Sequence, residues 1–135
     1  MQLLYQTRRK WGFTLLEIMI VVSIIGMLAV IAVPNYLRGR KRAQATQVLS
    51  ELRQLDHAIQ LYLIENNKTE ATPFVPGDAL AYVKSGTRLA ESEGKDMFGN
   101  DFIVDLPDRI PKINPSTFAL LSEVAPRSFW SPHIQ

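Results

Sequence analysis

Between Phe13 and Val33 the chain runs for 21 residues with one charge, Glu17. At roughly 1.5 Å per residue a helix of that length spans about 31 Å, close to the ~30 Å hydrocarbon thickness of a bilayer. A basic leader, Arg8-Arg9-Lys10, precedes it, which invites comparison with a cleaved secretory signal. The run is longer than the usual 7–15-residue core of such a signal, and no small-x-small cleavage site comes after it. A single transmembrane helix is therefore expected. Charge does not fix its orientation, because Arg38, Arg40, Lys41 and Arg42 on the far side balance the leader.

Beyond this run the chain is ordinary in composition. It has 135 residues in all, enough for one domain, and seven of its eight prolines lie beyond residue 70. It shows no repeat and no low-complexity tract. The net charge of +2 resides in the first twelve residues, and the remainder sums to −1. A basic pI therefore gives no warrant for nucleic-acid binding. With zero cysteines, disulfides, thiolate metal sites and a cysteine nucleophile are excluded.

Glu17 needs a reason, since a carboxylate inside a hydrocarbon-length stretch costs about 2–3 kcal/mol, less near the interface. Either it has a function there, or it snorkels to the surface or stays protonated. Its neighbours carry the decisive pattern. Trp11-Gly12-Phe13-Thr14-Leu15-Leu16-Glu17 after the basic leader, with Pro34 21 residues beyond Phe13, resembles the signal of type IV pilins and type II secretion pseudopilins.

That resemblance, carried by residues 8–36, implies cleavage by a prepilin peptidase between Gly12 and Phe13 and N-methylation of Phe13. It implies assembly into a homo-oligomeric filament, with Glu17 of one subunit neutralising the Phe13 amine of a neighbour. Gly12 offers a peptidase no side-chain bulk. The amine it releases is costly in an apolar setting unless paired, so pairing selects register. Thr14 reads as a helix N-terminal residue. Gly26 and Pro34 are the candidate helix breaks, bracketing Met27 to Val33, a segment resembling the one that extends in assembled family filaments. Tolerated Gly and Pro within a membrane helix is the equal alternative.

Past Pro34 helical periodicity resumes. Ala45, Val48, Leu52, Leu55, Ile59 and Tyr62 form one apolar stripe, with Glu51, Arg53, Gln54, Gln60 and Glu65 expected opposite. Asn66-Asn67 ends a helix of roughly 14–66. In the remainder, Asp78 is expected to cap a short helix over 79–83 that ends at Gly86. Gly99-Asn100 should turn before a strand at 103–106, and Asn114 should cap a helix over 117–121. Trp130, with Phe129, is expected to anchor the packing, and the sheet to have two or three strands. His57 and His133 are expected at the surface, unable to form a metal or catalytic cluster.

Asp96-Met97-Phe98-Gly99-Asn100-Asp101-Phe102 resembles the Asp-Pro-Trp-Gly-Asn-Pro-Tyr motif of major pseudopilins, with Met97 and Asp101 in the two proline positions. That subfamily commonly binds calcium through an acidic C-terminal loop. Here Glu123 is the one acid after Asp108, so Asp96, Asp101, Asp105 and Asp108 are expected to be solvated and no metal or other cofactor is assigned. The basic run 38–42 suits lipid headgroups or neighbouring subunits better than DNA, and no nucleic acid is expected.

The expected fold is α+β and pilin-like: one long N-terminal helix packed by a small head with short helices and a small antiparallel sheet. Its expected parts are a leader, 1–12; a transmembrane and filament-core half-helix, 13–34; an amphipathic half-helix, 35–66; and the head, 67–135. No catalytic constellation is present, so the chain is expected to be a structural filament subunit and not an enzyme. A secretion pseudopilin is favoured over a minor or adhesion-type pilin by the Asp96–Phe102 stretch and the missing C-terminal cysteine pair. A single-pass anchored ligand-binding protein is the rival from another class. The resemblance implies an inner-membrane, single-pass protein with a periplasmic head. Its expected partners are the peptidase, other pseudopilins or pilins and an inner-membrane assembly platform.

Overall fold

A computed structural model of the chain describes residues 12–68, 75–104 and 110–134. In order it contains α1 (Leu15–Glu65), α2 (Pro76–Leu80), α3 (Arg88–Glu91), β1 (Ile103–Val104), β2 (Pro111–Lys112), α4 (Pro115–Leu121) and a 3-10 turn, Arg127–Trp130. This is the α+β, pilin-like architecture expected: one long helix, short helices and a two-stranded antiparallel sheet. The chain divides into two compact units, Met1–Leu37 and Arg38–Gln135.

In the first unit, α1 is apolar on every side, and its large side chains, from Leu15 to Val33, are exposed. By length and composition this helix can cross a membrane. Ser23 is the one hydroxyl within the helical part of the run, and it bonds the Met19 carbonyl at 2.7 Å, which satisfies it without water. In this single chain α1 passes through Gly26 and Pro34 without interruption, which accords with the alternative that both are tolerated within the helix. Pro34 removes one ladder bond, to the Val30 carbonyl, from a helix of 51 residues, and the bonds on either side hold the geometry.

In the second unit all six predicted stripe residues, Ala45, Val48, Leu52, Leu55, Ile59 and Tyr62, are buried. They pack with Val83, Leu89, Phe102, Ile113, Leu121 and Trp130 in one core. Trp130 is fully buried; its indole N–H donates to the Ala125 carbonyl at 3.0 Å, and Phe129 meets it edge-on. Asn67 ends α1 at φ 48°, while the amide of Lys68 donates to the Leu63 carbonyl at 3.0 Å, a Schellman closure.

Glu51 is not on the solvent face. It is 3% exposed, and both its oxygens bind Arg88 at the start of α3, one through Nε at 2.6 Å. Position 51 lies one turn after Val48 and one before Leu55, so it borders the buried stripe. Asp78 is not a cap either. α2 begins earlier, with Pro76 in its first turn and Val75 at the cap position, and Asp78 accepts from the Tyr62 hydroxyl at 3.2 Å. Asn114 does cap α4, accepting from the amide of Ser116 at 3.0 Å.

His133 is the second surface assignment that fails, being only 4% exposed. Its Nδ1 lies 2.8 Å from the Pro111 carbonyl, so Nδ1 carries the proton, and its own carbonyl accepts from the amide of Ile113 at 2.9 Å. These bonds fasten the segment after Trp130 along β2. The sheet pairs Ile103 with Lys112 and Val104 with Pro111. The later part of the expected strand, 105–106, lies outside the described residues.

Candidate functional site

The start of α1 is built by Thr14 and Glu17. The Thr14 hydroxyl accepts from the amide of Glu17 at 3.2 Å, and Glu17 Oε2 accepts from both the amide and the hydroxyl of Thr14, each at 2.8 Å. This is a capping box, in which residues three apart satisfy each other's orphan donors. The carboxylate also lies at the positive end of the helix dipole, where a negative charge is favoured. Sequence reasoning placed Thr14 at the helix start but missed its bond to Glu17, although the Thr-x-x-Glu spacing carries that signal. Oε1 of Glu17 accepts no hydrogen bond among the described residues. Phe13 precedes the cap and is fully open, at 84% exposure. A Cβ added at Gly12 would meet nothing within 4 Å, nor would one at Gly26. Nothing in the packing of the described residues therefore requires glycine at position 12.

Asp96 was expected to be solvated and is buried instead, at 2% exposure. Its Oδ1 accepts from the amides of Phe98 and Asn100, both at 2.9 Å, and its Oδ2 accepts from the Thr117 hydroxyl. The side-chain amide of Asn100 donates to the same hydroxyl at 2.9 Å. Gly99, at φ 83°, makes the turn that folds these donors around the carboxylate. Three donor hydrogens thus bind the Asp96 carboxylate, two on Oδ1 and one on Oδ2. Asp101 is exposed, and Asp105 and Asp108 lie outside the described residues. Among the described residues no three His, Asp or Glu side chains gather as metal ligands.

Half of the basic run is engaged within the chain. Lys41 Nζ lies 2.7 Å from Glu123, and Arg38 Nε lies 3.8 Å from it. The hydrogen bond and charge of Lys41, helped by Arg38, hold the Glu123 carboxyl below the usual carboxylate range against a smaller opposing desolvation. Arg40 and Arg42 are exposed.

Residues 8–33 match the family model described as the prokaryotic N-terminal methylation motif. The chain is 32% identical over 111 residues to the type II secretion system core protein G of Escherichia coli, covering 75% of each. The chain belongs to the core protein G family. The core protein G of Aeromonas hydrophila is 39% identical over 67 residues, a stretch covering 50% of this chain and 47% of that relative. The chain thus spans about half of that relative and three-quarters of the Escherichia coli one. Similarity extends to the type IV major fimbrial protein FimA of Dichelobacter nodosus, 38% identical over 96 residues, 71% of this chain and 55% of FimA. No solved structure matches. Membership in the core protein G family agrees with the pseudopilin resemblance carried by the N-terminal motif. The long apolar α1 is consistent with membrane anchoring, as befits this family.

Proposed function

We propose that this chain is a structural, non-catalytic subunit of a type II secretion filament, cut between Gly12 and Phe13 and assembled through its first helix. The observation that carries the reading is the start of α1. Cleavage after Gly12 leaves Phe13 as the residue directly before the Thr14 cap. The new ammonium then adds positive charge to the positive end of the helix dipole, in an apolar setting, where it is costly alone. Glu17 spends Oε2 on its own cap and keeps Oε1 for a donor from another chain, which suits the Phe13 amine of a neighbour. The open space around Gly12 favours an external need for glycine there, the peptidase that must approach the bond.

N-methylation of Phe13 keeps that amine charged, so it does not abolish the pairing. The apolar half, 13–34, first holds the subunit in the inner membrane with the head on the periplasmic side, then forms the filament core. Amphipathic residues 35–66 and the head, 67–135, form the part outside the membrane. Extension around Gly26 and Pro34 belongs to the assembled filament, where neighbouring helices take over the lost ladder bonds. Other pseudopilins and an inner-membrane platform are the remaining partners.

Intact-mass measurement of membrane-extracted protein should show loss of residues 1–12 and one added methyl group. Gly12→Leu should block cutting and leave insertion unchanged. Uncut mature protein would overturn the reading. FimA similarity favours one second reading, a pilus subunit. Deletion of the gene separates the two: a secretion subunit leaves exoproteins in the periplasm, and a pilus subunit leaves the cell without surface fibres.

A further inference from the structure

The second unit carries two unlike patches whose charges are unanswered among the described residues. One is a groove of about 440 Å³ beside α1, lined by Arg53, His57 and Lys84 around Leu61 and Tyr82. All three nitrogen-bearing side chains are exposed, and none forms an ion pair or hydrogen bond among the described residues. The nearby α1 acids are already engaged, since Glu51 is bound by Arg88 and Asp56 accepts from Gln60 at 3.2 Å. The other patch is a recess of about 270 Å³ where Glu93 and Asp101 stand at the rim over Leu80 and Phe102. Both carboxylates are exposed and likewise lack a partner among the described residues.

The two patches cannot close on each other in one molecule. Leu55 contributes to the acidic recess, whereas His57, two positions on, contributes to the basic groove. Two residues of an α-helix are about 200° apart around the axis, so the patches lie on opposite sides of α1. Each combines a charged rim with an apolar floor, and each has the sign the other lacks.

We propose that the Arg53–His57–Lys84 groove receives the Glu93–Asp101 rim of a second copy of this chain. The pairing is heterologous: a copy bound at its groove still presents a free acidic rim. Such contacts extend from copy to copy instead of closing into a symmetric pair. Each rim charge is exposed and contributes modestly, but a like-charge arrangement is strongly unfavourable, so the contact chooses partner and register more than it adds strength. The inference rests on the filament reading and locates a head-to-head contact in that filament separate from the Glu17 pairing.

Full-length chains expressed in the native membrane provide the test. Arg53→Glu with Lys84→Glu, and separately Glu93→Lys with Asp101→Lys, should each lower sheared filament yield at least about tenfold while processed monomer stays in the membrane. Co-expression of the two variants should restore filaments, because the acidic groove of one then accepts the basic rim of the other. Since the chain has no cysteine of its own, Arg53→Cys and Glu93→Cys chains expressed together should form a disulfide dimer on oxidation that neither forms alone. Normal filaments from both charge variants, or loss without recovery in the mixture, would overturn the contact and leave the filament reading standing. Absence of filaments from the wild-type chain would instead overturn the filament reading.

Discussion

Two glutamates on α1, Glu17 and Glu51, are both placed where a carboxylate is expensive, and they are satisfied differently. Glu51 lies among buried residues of the second unit and is gripped by the Arg88 guanidinium, a partner 37 positions away in the same chain. Glu17 lies in an apolar run whose side chains are exposed, and its one bonded oxygen is held by Thr14, three positions away. A charge answered by its own fold stabilises that fold. A charge answered only by its local cap has an oxygen left for another molecule. The same residue type on the same helix thus serves folding at one end and, in our reading, association at the other.

The comparison breaks most readily at Glu17. Glu17→Ala should leave the head's melting unchanged and nearly abolish sheared filaments, because each subunit then buries an uncompensated ammonium at a cost of several kcal/mol. Glu17→Gln keeps the shape but not the charge and should be almost as defective. Normal filaments from both would place Glu17 in a purely local role, as part of its cap. The converse expectation holds for Arg88. Arg88→Ala strands the Glu51 carboxylate and should cost the head about 3 kcal/mol in denaturant unfolding, with processing at Gly12 unaffected.

Asp96 sharpens the contrast, being a third acid answered from within. Asp96→Ala frees two backbone donors and the Thr117 hydroxyl, at about 2–3 kcal/mol, and chelator should leave the melting temperature of the wild-type chain unchanged. Glu123 gives the smallest effect. Its carboxyl is held low in the folded chain by Lys41 and Arg38, so the pairing stabilises above the ordinary carboxylate range. That contribution is lost as pH falls through the folded value. Glu123→Gln should flatten the acid arm of the stability profile slightly and do little near neutrality, a difference that high salt should erase.

Features that repeat along one element were the legible ones. The charge-poor run announced a membrane-length helix, and the three-and-four spacing from Ala45 to Tyr62 announced a buried stripe, each of whose six residues is buried. Local chemistry was equally readable at Asn114, which caps α4, and at Asn67, which closes α1. Four polar residues were misjudged because their partners come from elsewhere in the chain, Asp78 among them, whose partner is the Tyr62 hydroxyl. Glu51 reads as polar until Arg88 arrives from α3, His133 reads as a surface residue until Pro111 offers a carbonyl, and Asp96 reads as a solvated loop acid until Thr117 docks on it. Periodicity tells which face of a helix is covered and says nothing of which polar group at its border will be taken along. At Pro34 the residues left a break and a tolerated proline equally open, because the local rule for proline weighs one lost bond without weighing the long helix on either side.

The stripe on α1 and the tryptophan that helps cover it are separated by about 70 residues, from Tyr62 to Trp130. A ribosome adding roughly 5–20 residues per second needs some 4–14 seconds to cross that interval. Throughout it, the amphipathic half of α1 has been made and its cover is incomplete, growing through Val83, Leu89, Phe102, Ile113 and Leu121 before Trp130 completes it. Each newborn chain therefore passes through a stage of seconds in which part of that apolar stripe is bare.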